Sequence, residues 1–168
     1  MSERTFFSLG SNLGDRESNL ASAITALGTY QNIYGLTSAS FYETEPINHQ
    51  DQPLYLNTVV EYQVDCSPQH LLEITQRTEE ILGRPRQHEH HAPRVIDIDI
   101  LCYGHHIIST DSLKIPHPEM TVRNFVLIPL AEIAPEFVVP GWNQSVKTLL
   151  AQCPDTSRVN KHLIQKNA

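Results

Sequence analysis

The alternation of apolar and polar positions divides the chain into closely spaced strands and helices. Apolar residues three and four apart indicate a helix that Asp15 caps and Gly28 ends, and a second that opens at Ser67 and Pro68 and runs to Gly83. Runs rich in β-forming residues predict strands at 5–9, 36–42, 56–64 and 96–101, and shorter β segments near 104–108 and 113–115. The remaining predicted elements are a helix at 122–133 interrupted near Pro129 and a short helix at 145–151.

Strands and helices interleave, yet several strands follow one another through connections too short for a parallel crossover. Two longer loops are predicted, 43–54 and 84–94, and each carries two prolines. The pattern therefore predicts an α+β domain with a largely antiparallel sheet. The 168 residues show no repeat, low-complexity tract or linker, so we expect one domain over residues 1–168.

The segment 93–101, Pro-Arg-Val-Ile-Asp-Ile-Asp-Ile-Leu, carries the clearest chemical signal. Its alternation places Asp97 and Asp99 on one face of a strand, roughly 6–7 Å apart. Two neighbouring carboxylates repel unless a positive charge lies between them, and their hard oxygen atoms suit Mg²⁺ better than zinc. Arg94 adds a phosphate-binding group beside them, as in phosphoryl-transfer sites. The alternative is a solvated strand face.

Charge and cysteine content narrow the possible partners. Twelve Lys and Arg against nineteen Asp and Glu give a formal charge of −7, which disfavours nucleic acid. The arginines near the acidic strand favour a small anionic substrate. The longest apolar stretch, 125–131, is too short to span a membrane, and the first residues lack the apolar core of a signal peptide. Three cysteines without a C-x-x-C pair indicate a reducing compartment, so we expect a cytoplasmic protein.

Three further motifs leave alternatives open. The segment Gly10–Gly14 is either a phosphate-binding turn or a simple strand-to-helix turn, because it lacks the Walker and dinucleotide patterns. Asn57, at the start of a strand, either presents its carboxamide to a heterocycle or caps a turn. The segment 88–91, His-Glu-His-His, lacks the H-E-x-x-H spacing of a zinc site and is interpreted as a polar loop whose histidines can meet phosphate.

Six motifs resemble the 6-hydroxymethyl-7,8-dihydropterin pyrophosphokinase family. They cover about residues 5–140 in the family's order, and the last two are highly specific together. The motifs are S-L-G-S-N-L-G-D-R, F-Y-E-T-E-P, D-Q-P-x-Y-L-N, L-G-R-x-R, P-R-V-I-D-I-D-I-L and P-H-P-E-M-x-x-R-N-F-V-L-I-P-L-A-E-I-A-P. The resemblance implies a ferredoxin-like α+β fold. It also implies that ATP donates its β,γ-pyrophosphoryl unit to the pterin hydroxymethyl oxygen and that AMP is released.

The resemblance also implies roles for individual residues. Asp97 and Asp99 correspond to the ligands of two Mg²⁺ ions, and with Arg84, Arg94 and Arg123 they form the catalytic group. The ATP-binding positions are Gln76, Glu79, Arg84, Arg86, Arg94, Ile100, His117 and Arg123. The pterin-binding positions are Thr44, Pro46, Tyr55, Asn57, Asp97 and Phe125, with Tyr55 and Phe125 expected to sandwich the ring. We expect small-molecule partners, neither nucleic acid nor membrane, and a monomer or weak homodimer.

One segment departs from the family pattern. Many members carry Arg-Trp-Gly before the Pro-Arg of the acidic motif, whereas this chain has His90-His91-Ala92. A fixed charge is thereby replaced by a titratable group, so loop closure is expected to be weaker or pH-dependent. Two other functions are alternatives to the predicted transferase activity. One is a metal-dependent phosphohydrolase that uses the same aspartates, and the other is a non-catalytic pterin- or nucleotide-binding module.

Overall fold

A computed structural model describes residues 1–46, 51–83 and 93–164. The strands are β1 (Glu3–Ser11), β2 (Ile33–Ser38), β3 (Tyr42–Thr44), β4 (Tyr55–Val64), β5 (Asp97–Tyr103), β6 (Ile108–Ser109), β7 (Lys114–Ile115), β8 (Val138–Val139), β9 (Gln144–Ser145) and β10 (Val159–Lys161). The helices are α1 (Arg16–Leu27), α2 (Pro68–Ile81), α3 (Asn124–Ile133) and α4 (Val146–Ala151), and a 3-10 turn spans Met120–Val122.

A six-stranded sheet forms the centre of the fold. Its strands lie in the order β10-β3-β4-β1-β5, and β2 pairs with β4 beside β3. Every pairing in it is antiparallel. Because β1 lies between β4 and β5, and α1 and α2 connect the successive strands, the arrangement is the ferredoxin-like one. The α+β class and the antiparallel sheet predicted from the sequence are confirmed.

Both faces of the sheet are covered by helices, which is why most central strand positions are apolar. On one face Phe7 and Leu9 pack against α1 and α2. On the other face Phe6 and Val59 pack against α3 and α4. The β1–β5 pairing shifts between Phe6 and Phe7, and this bulge brings two consecutive residues of β5, Leu101 and Cys102, onto the α3 side. The candidate site lies at one end of the α3 side of the sheet, and we call this side the open face.

The predicted starts of α1 and α2 and the predicted end of α1 are confirmed by their caps, whereas α2 ends two residues before the predicted Gly83 and α3 begins at Asn124 instead of 122. The Asp15 carboxylate accepts a hydrogen bond from the Ser18 amide at 3.1 Å, and Gly28 ends α1. The Ser67 hydroxyl accepts from the His70 amide at 3.2 Å, and Pro68 takes the first helical position of α2. None of the helices in the described ranges is both long enough and apolar enough to cross a bilayer.

The strand predicted at 36–42 is wrong, because two strands, β2 and β3, meet there. Residues 39–41 belong to neither strand, although the Ala39 amide still donates to the Val59 carbonyl at 3.0 Å. The carbonyl oxygen atoms of Ala39 and Ser40 accept hydrogen bonds from the Thr58 hydroxyl at 3.2 and 3.1 Å. Strand β3 therefore occupies the start of the predicted loop 43–54. The β segment predicted near 104–108 is also misplaced, because β6 begins only at Ile108 and pairs with β7.

The predicted interruption at Pro129 is also wrong. Pro129 lies inside α3, which continues to Ile133. A proline removes one helical hydrogen bond, and here the packing of Val126, Leu127 and Leu130 in the core outweighs that loss. The small β8–β9 hairpin and the strand β10 have no counterpart in the sequence prediction.

Candidate active site

The acidic strand β5 separates its residues between the two faces of the sheet, as predicted. Ile98 and Ile100 are 5 % exposed and lie in the core beside α1 and α2. Asp97 and Asp99 are half-buried and lie on the open face, opposite Gly10 and Ser8 of β1. The carboxylates therefore project together from a strand that the isoleucine face anchors.

One row of residues crosses three neighbouring strands of this face. Gly10 of β1 pairs with Asn57 of β4 on one side and with Asp97 of β5 on the other. A Cβ atom at position 10 would lie 2.5 Å from Asn57 Oδ1, closer than any real contact. The absence of a side chain at Gly10 therefore leaves room for the Asn57 carboxamide.

The polar groups around Asn57 form the deepest part of the site. Asn57 and Thr44 are 5 % and 3 % exposed, and Asn57 Nδ2 donates to Thr44 Oγ1 at 2.5 Å. Thr44 pairs with Tyr55, so Thr44, Tyr55 and Asn57 share the open face. Tyr55 and Pro46 are half-buried at its rim. Because the carboxamide is fixed by Thr44, Asn57 can present its remaining groups to a planar heterocycle in one orientation.

Arg94 is held against the acidic pair by its side chain and its backbone. Its Nη1 donates to Asp97 Oδ2 at 2.9 Å. Its amide donates to Asn12 Oδ1 at 2.7 Å, and its carbonyl accepts from the Asn12 amide at 3.0 Å. Within the described part of the chain, Arg94 Nε is a buried N–H without a hydrogen-bond partner. A buried donor of this kind calls for a partner, which an anion bound beside Asp97 would supply.

Asn12 is a residue of the site whose role sequence reasoning missed. It is 1 % exposed, and besides its two bonds to Arg94 its Nδ2 donates to Gln52 Oε1 at 3.1 Å. From the sequence, the segment Gly10–Gly14 could be either a phosphate-binding turn or a structural turn. In the structure, Asn12 of this segment links Arg94 to the residues before β4. The only available signal was a buried-type asparagine directly after a strand.

The predicted nucleotide positions on α2 and β5 have different surroundings. Glu79 Oε1 accepts from the Ile98 amide at 2.7 Å, which ties α2 to the outer edge of the acidic strand. Gln76 is exposed on α2. The Ile100 side chain lies in the core, away from the carboxylates, so only its backbone can face a ligand. Because the backbone groups of alternate strand residues point to the same edge, those of Ile100 lie on the same edge as those of Ile98.

His117 and Arg123 lie in the segment before α3, where the charge of Asp97 acts on His117. The His117 amide donates to the Leu101 carbonyl at 2.8 Å, and its Nδ1 accepts from the Glu119 amide at 3.2 Å. Arg123 pairs with Glu119 and places its guanidinium carbon 5.5 Å from the Phe125 ring centre. Burial, and next the Arg123 charge, lower the pKa of His117, although the carboxylates of Glu119 and Asp97 oppose this shift. His117 is therefore neutral at pH 7.

The lowered pKa of His117 predicts how stability depends on pH. The unfolded chain protonates this histidine near pH 6.5, and the folded chain only at a lower pH. Below about pH 6.5 the unfolded state thus binds more protons than the folded state. The free energy of unfolding therefore decreases as the pH is lowered, until the pH passes below the folded pKa. His117→Gln should flatten this part of the profile of urea midpoints for the metal-free protein. The exposed His70→Gln is the control, and equal slopes for His117→Gln and wild type would contradict the prediction.

Several predicted positions lie outside the described residues. These are Arg84, Arg86 and the histidine loop with His88, His90, His91 and Ala92. In the described ranges no group of three or more His, Cys, Asp or Glu side chains could hold a metal ion. The cysteines Cys66, Cys102 and Cys153, all in those ranges, are free thiols, and burial raises the pKa of Cys102 to about 12.

The ferredoxin-like sheet carries a carboxylate pair beside a half-buried arginine, and polar side chains two strands away. This arrangement is the one expected of an enzyme that transfers a phosphate-containing group to a small polar acceptor. The family described as 7,8-dihydro-6-hydroxymethylpterin-pyrophosphokinase (HPPK) matches residues 6–135. The chain belongs to this family, and it is an ATP-dependent pyrophosphokinase of folate biosynthesis.

Individual relatives agree with this assignment. The chain is 39% identical over 150 residues to the 2-amino-4-hydroxy-6-hydroxymethyldihydropteridine pyrophosphokinase of Haemophilus influenzae, covering 89% of this chain and 92% of the relative. The Bacillus subtilis enzyme of the same name is 42% identical over 133 residues, 79% of each chain. A Plasmodium falciparum HPPK-DHPS crystal structure has the same fold, with a TM-score of 0.72 at 14% identity, and the match covers 90% of this chain and 45% of that one.

Proposed function

We propose that the row Asn57–Gly10–Asp97 brings the two substrates of the pyrophosphoryl transfer together. The pterin ring would lie on the Asn57 side, and the ATP phosphates would lie beside Asp97 and Asp99. The observation that carries this proposal is the register of β4, β1 and β5, which aligns the two groups across a glycine. The hydroxymethyl oxygen would then point along the row toward the β-phosphorus of ATP, so that attack expels AMP.

The carboxylate pair fits the metal that such a transfer requires. Asp97 and Asp99 would hold two Mg²⁺ ions, which when bound neutralise charge on the ATP phosphates. Mg²⁺ at ATP sites takes one or two protein carboxylates and completes its shell with phosphate oxygen atoms and water. Two half-buried aspartates on one face supply this donor set, and a cluster of three protein ligands is not needed.

The cationic residues would bind and orient the transferred group. The Arg94 Nε donor, already buried beside Asp97, would bond a phosphate oxygen without first breaking another bond. Arg123 would meet the charge that develops on the migrating group with its rigid guanidinium fork. His117, neutral near pH 7, would donate from Nε2, because its Nδ1 already accepts a hydrogen bond. Arg84, Arg86 and the α2 positions Gln76 and Glu79 are proposed to complete the ATP site.

The pterin would be held by polar contacts at its edge and aromatic contacts on its faces. Thr44 and Asn57 would bond the edge of the ring, and Pro46 would border it. Tyr55 and Phe125 would cover the ring faces, with Phe125 in the first turn of α3. Asp97 lies in the same row as Asn57, whereas Asp99 lies two residues farther along β5. Asp97 is thus better placed to accept the proton of the hydroxymethyl group.

The context of the reaction follows from the same proposal. Every residue assigned above belongs to one chain, so we propose that residues 1–168 act as one domain, in a monomer or weak homodimer. The free thiols are suited to a reducing compartment, and we propose the cytoplasm as the location.

The test of this function is AMP formation from ATP and Mg²⁺ with and without 6-hydroxymethyl-7,8-dihydropterin. We expect AMP only when the pterin is present, together with one equivalent of pterin diphosphate. Release of inorganic phosphate without pterin would instead indicate a phosphohydrolase. Binding of both ligands without turnover would indicate a non-catalytic module.

Asn57→Ala should weaken pterin binding much more than nucleotide binding. The buried carboxamide both donates and accepts, and its loss would leave polar groups of the pterin without partners. Separate calorimetric titrations with the pterin and with a non-hydrolysable ATP analogue measure the two effects. Thr44→Val, which removes only the hydroxyl that orients Asn57, should give a smaller change in the same direction. Equal losses for both ligands in Asn57→Ala would exclude this role.

A further inference from the structure

The helix α3 begins inside the candidate site without a cap of its own. Its N-cap position is Arg123, whose side chain makes no capping hydrogen bond, and Phe125 follows two residues later. Arginine cannot accept a hydrogen bond from the exposed amides of the first turn. The two site residues therefore flank a helix start that must be fixed by some other part of the chain.

Asp155 supplies the missing acceptor from 31 residues away. Its Oδ2 accepts from the Asn124 amide at 2.9 Å, and its Oδ1 accepts from the Ser157 amide at 2.9 Å. The Asn124 side chain also bonds this segment, because its Nδ2 donates to the Asp155 carbonyl at 2.6 Å and to the Ser157 carbonyl at 3.2 Å. The residue between Arg123 and Phe125 is thus held on both its backbone and its side chain.

The electrostatic state of Asp155 agrees with this arrangement. Burial alone would raise its pKa, but the hydrogen bonds from Ser157 and Asn124 and the Arg123 charge together lower it. The carboxylate is ionised at neutral pH. An ionised acceptor at a helix N-terminus bonds the first amides more strongly than a neutral one and complements the helix dipole.

The same segment continues to the other side of the pterin pocket. We call residues 155–162 the C-terminal strap. In β10, Val159 pairs with Thr44, and beyond it the His162 amide donates to the Phe41 carbonyl at 2.8 Å. The His162 ring contacts Glu17 of α1 at 2.5 Å, which anchors the end of the strap. One segment beyond the family match at 6–135 therefore bonds α3 at Asn124, next to Phe125, and pairs with β3 at Thr44.

We propose that Asp155 is a positioning residue for the pyrophosphoryl transfer, which sets Arg123 and Phe125 through Asn124 while the strap sets Thr44. This inference rests on the proposed function, because it assumes that these residues contact the substrates. Asp155 is not among the residues proposed to contact a substrate. Its loss would let the first turn of α3 shift, and displacements of about 1 Å near reacting groups can cost about a hundredfold in rate.

The experiment compares Asp155→Ala, Asp155→Asn and Ser145→Ala in the full chain. Ser145→Ala is the matched control, because it removes a helix cap from α4 on the same layer, where Ser145 Oγ accepts from the Thr148 amide at 3.3 Å. We expect Asp155→Ala to lower kcat/KM for the pterin by about tenfold, a partial displacement of the site, while KM for ATP changes little. Asp155→Asn keeps one acceptor oxygen atom for the Asn124 amide but loses the charge and the second acceptor, so it should recover only part of the loss. Ser145→Ala should lower thermal stability without this kinetic change.

The outcomes separate this inference from the proposed function. Wild-type protein without pterin-dependent AMP formation would refute the function itself. If wild type is active, equal kinetics for Asp155→Ala and wild type would overturn the positioning role, as would equal losses in the alanine and asparagine variants. If Asp155→Ala fails to fold, Asn124→Ala replaces it, because it removes the two side-chain bonds to the strap and keeps the helix amide. Unchanged pterin kinetics in that variant would also overturn the role.

Discussion

Asp97→Asn and Asp99→Asn are each expected to reduce turnover to a small fraction of wild type while the protein stays folded. The strand is anchored by Ile98 and Ile100 on its other face, and asparagine has nearly the shape of aspartate. What is lost is the negative charge that would hold Mg²⁺, and loss of even an outer partner of a metal typically costs about 10- to 100-fold. Steady-state AMP formation measures the loss, and circular dichroism with thermal unfolding checks the fold.

The two variants should differ in their effect on the pterin. Asp97 shares a row with Asn57, whereas Asp99 lies opposite Ser8. We therefore expect Asp97→Asn to alter both the Mg²⁺ dependence and pterin affinity, and Asp99→Asn to alter only the Mg²⁺ dependence. Asp111→Asn, at an exposed position between β6 and β7, is the control for a lost carboxylate. More than about a tenth of wild-type activity in either site variant would refute the metal-ligand role, given that typical loss.

Gly10→Ala is expected to abolish most pterin binding although it adds only one methyl group. Its Cβ would lie 2.5 Å from Asn57 Oδ1, so the carboxamide must rotate and lose its bond to Thr44. A strand interior otherwise tolerates alanine at least as well as glycine, so the fold should remain. We expect pterin affinity to fall by roughly a hundredfold, comparable to leaving a buried polar group unpaired at about 3 kcal/mol. Nucleotide affinity should change little.

A double-mutant cycle shows whether the methyl group acts through Asn57. If it does, Gly10→Ala combined with Asn57→Ala should bind pterin no more weakly than Asn57→Ala alone, because the clash has been removed. Additive losses in the cycle would mean that the methyl group blocks the pterin directly. Normal pterin binding by Gly10→Ala itself would refute the arrangement of the row.

Local patterns were sufficient for the parts of the fold that depend on neighbouring residues. The alternation around Asp97 identified both the strand and the face that carries the carboxylates, since a side-chain period of two needs no partner strand. Asp15 and Ser67 identified the helix starts, because a cap bonds an amide three residues away. The motifs that matched a known family supplied most of the proposed site residues.

Features that depend on distant pairing could not be predicted. Where the segment 36–42 divides into two strands, Ala39 and Ser40 bond Thr58 and Ser40 bonds Glu132, and no local pattern encodes these distant contacts. Strand β10 pairs with β3 far earlier in the chain, and Asp155 caps a helix 31 residues before it. The row at Gly10 depends on the registers of two ladders. The role of Asn12 was missed for the same reason.

If the proposed substrate positions are right, the alignment of Asn57, Gly10 and Asp97 means that the spacing of the backbone strands sets the distance between the two substrates. Neighbouring strands lie about 4.8 Å apart, so the two functional groups are separated by about 10 Å whatever the surrounding side chains. A slip of one residue between β1 and β5 would turn both carboxylates into the core and the isoleucines outward. Enzymatic activity recovered during refolding should therefore report correct strand register, whereas compactness or helix content alone would not.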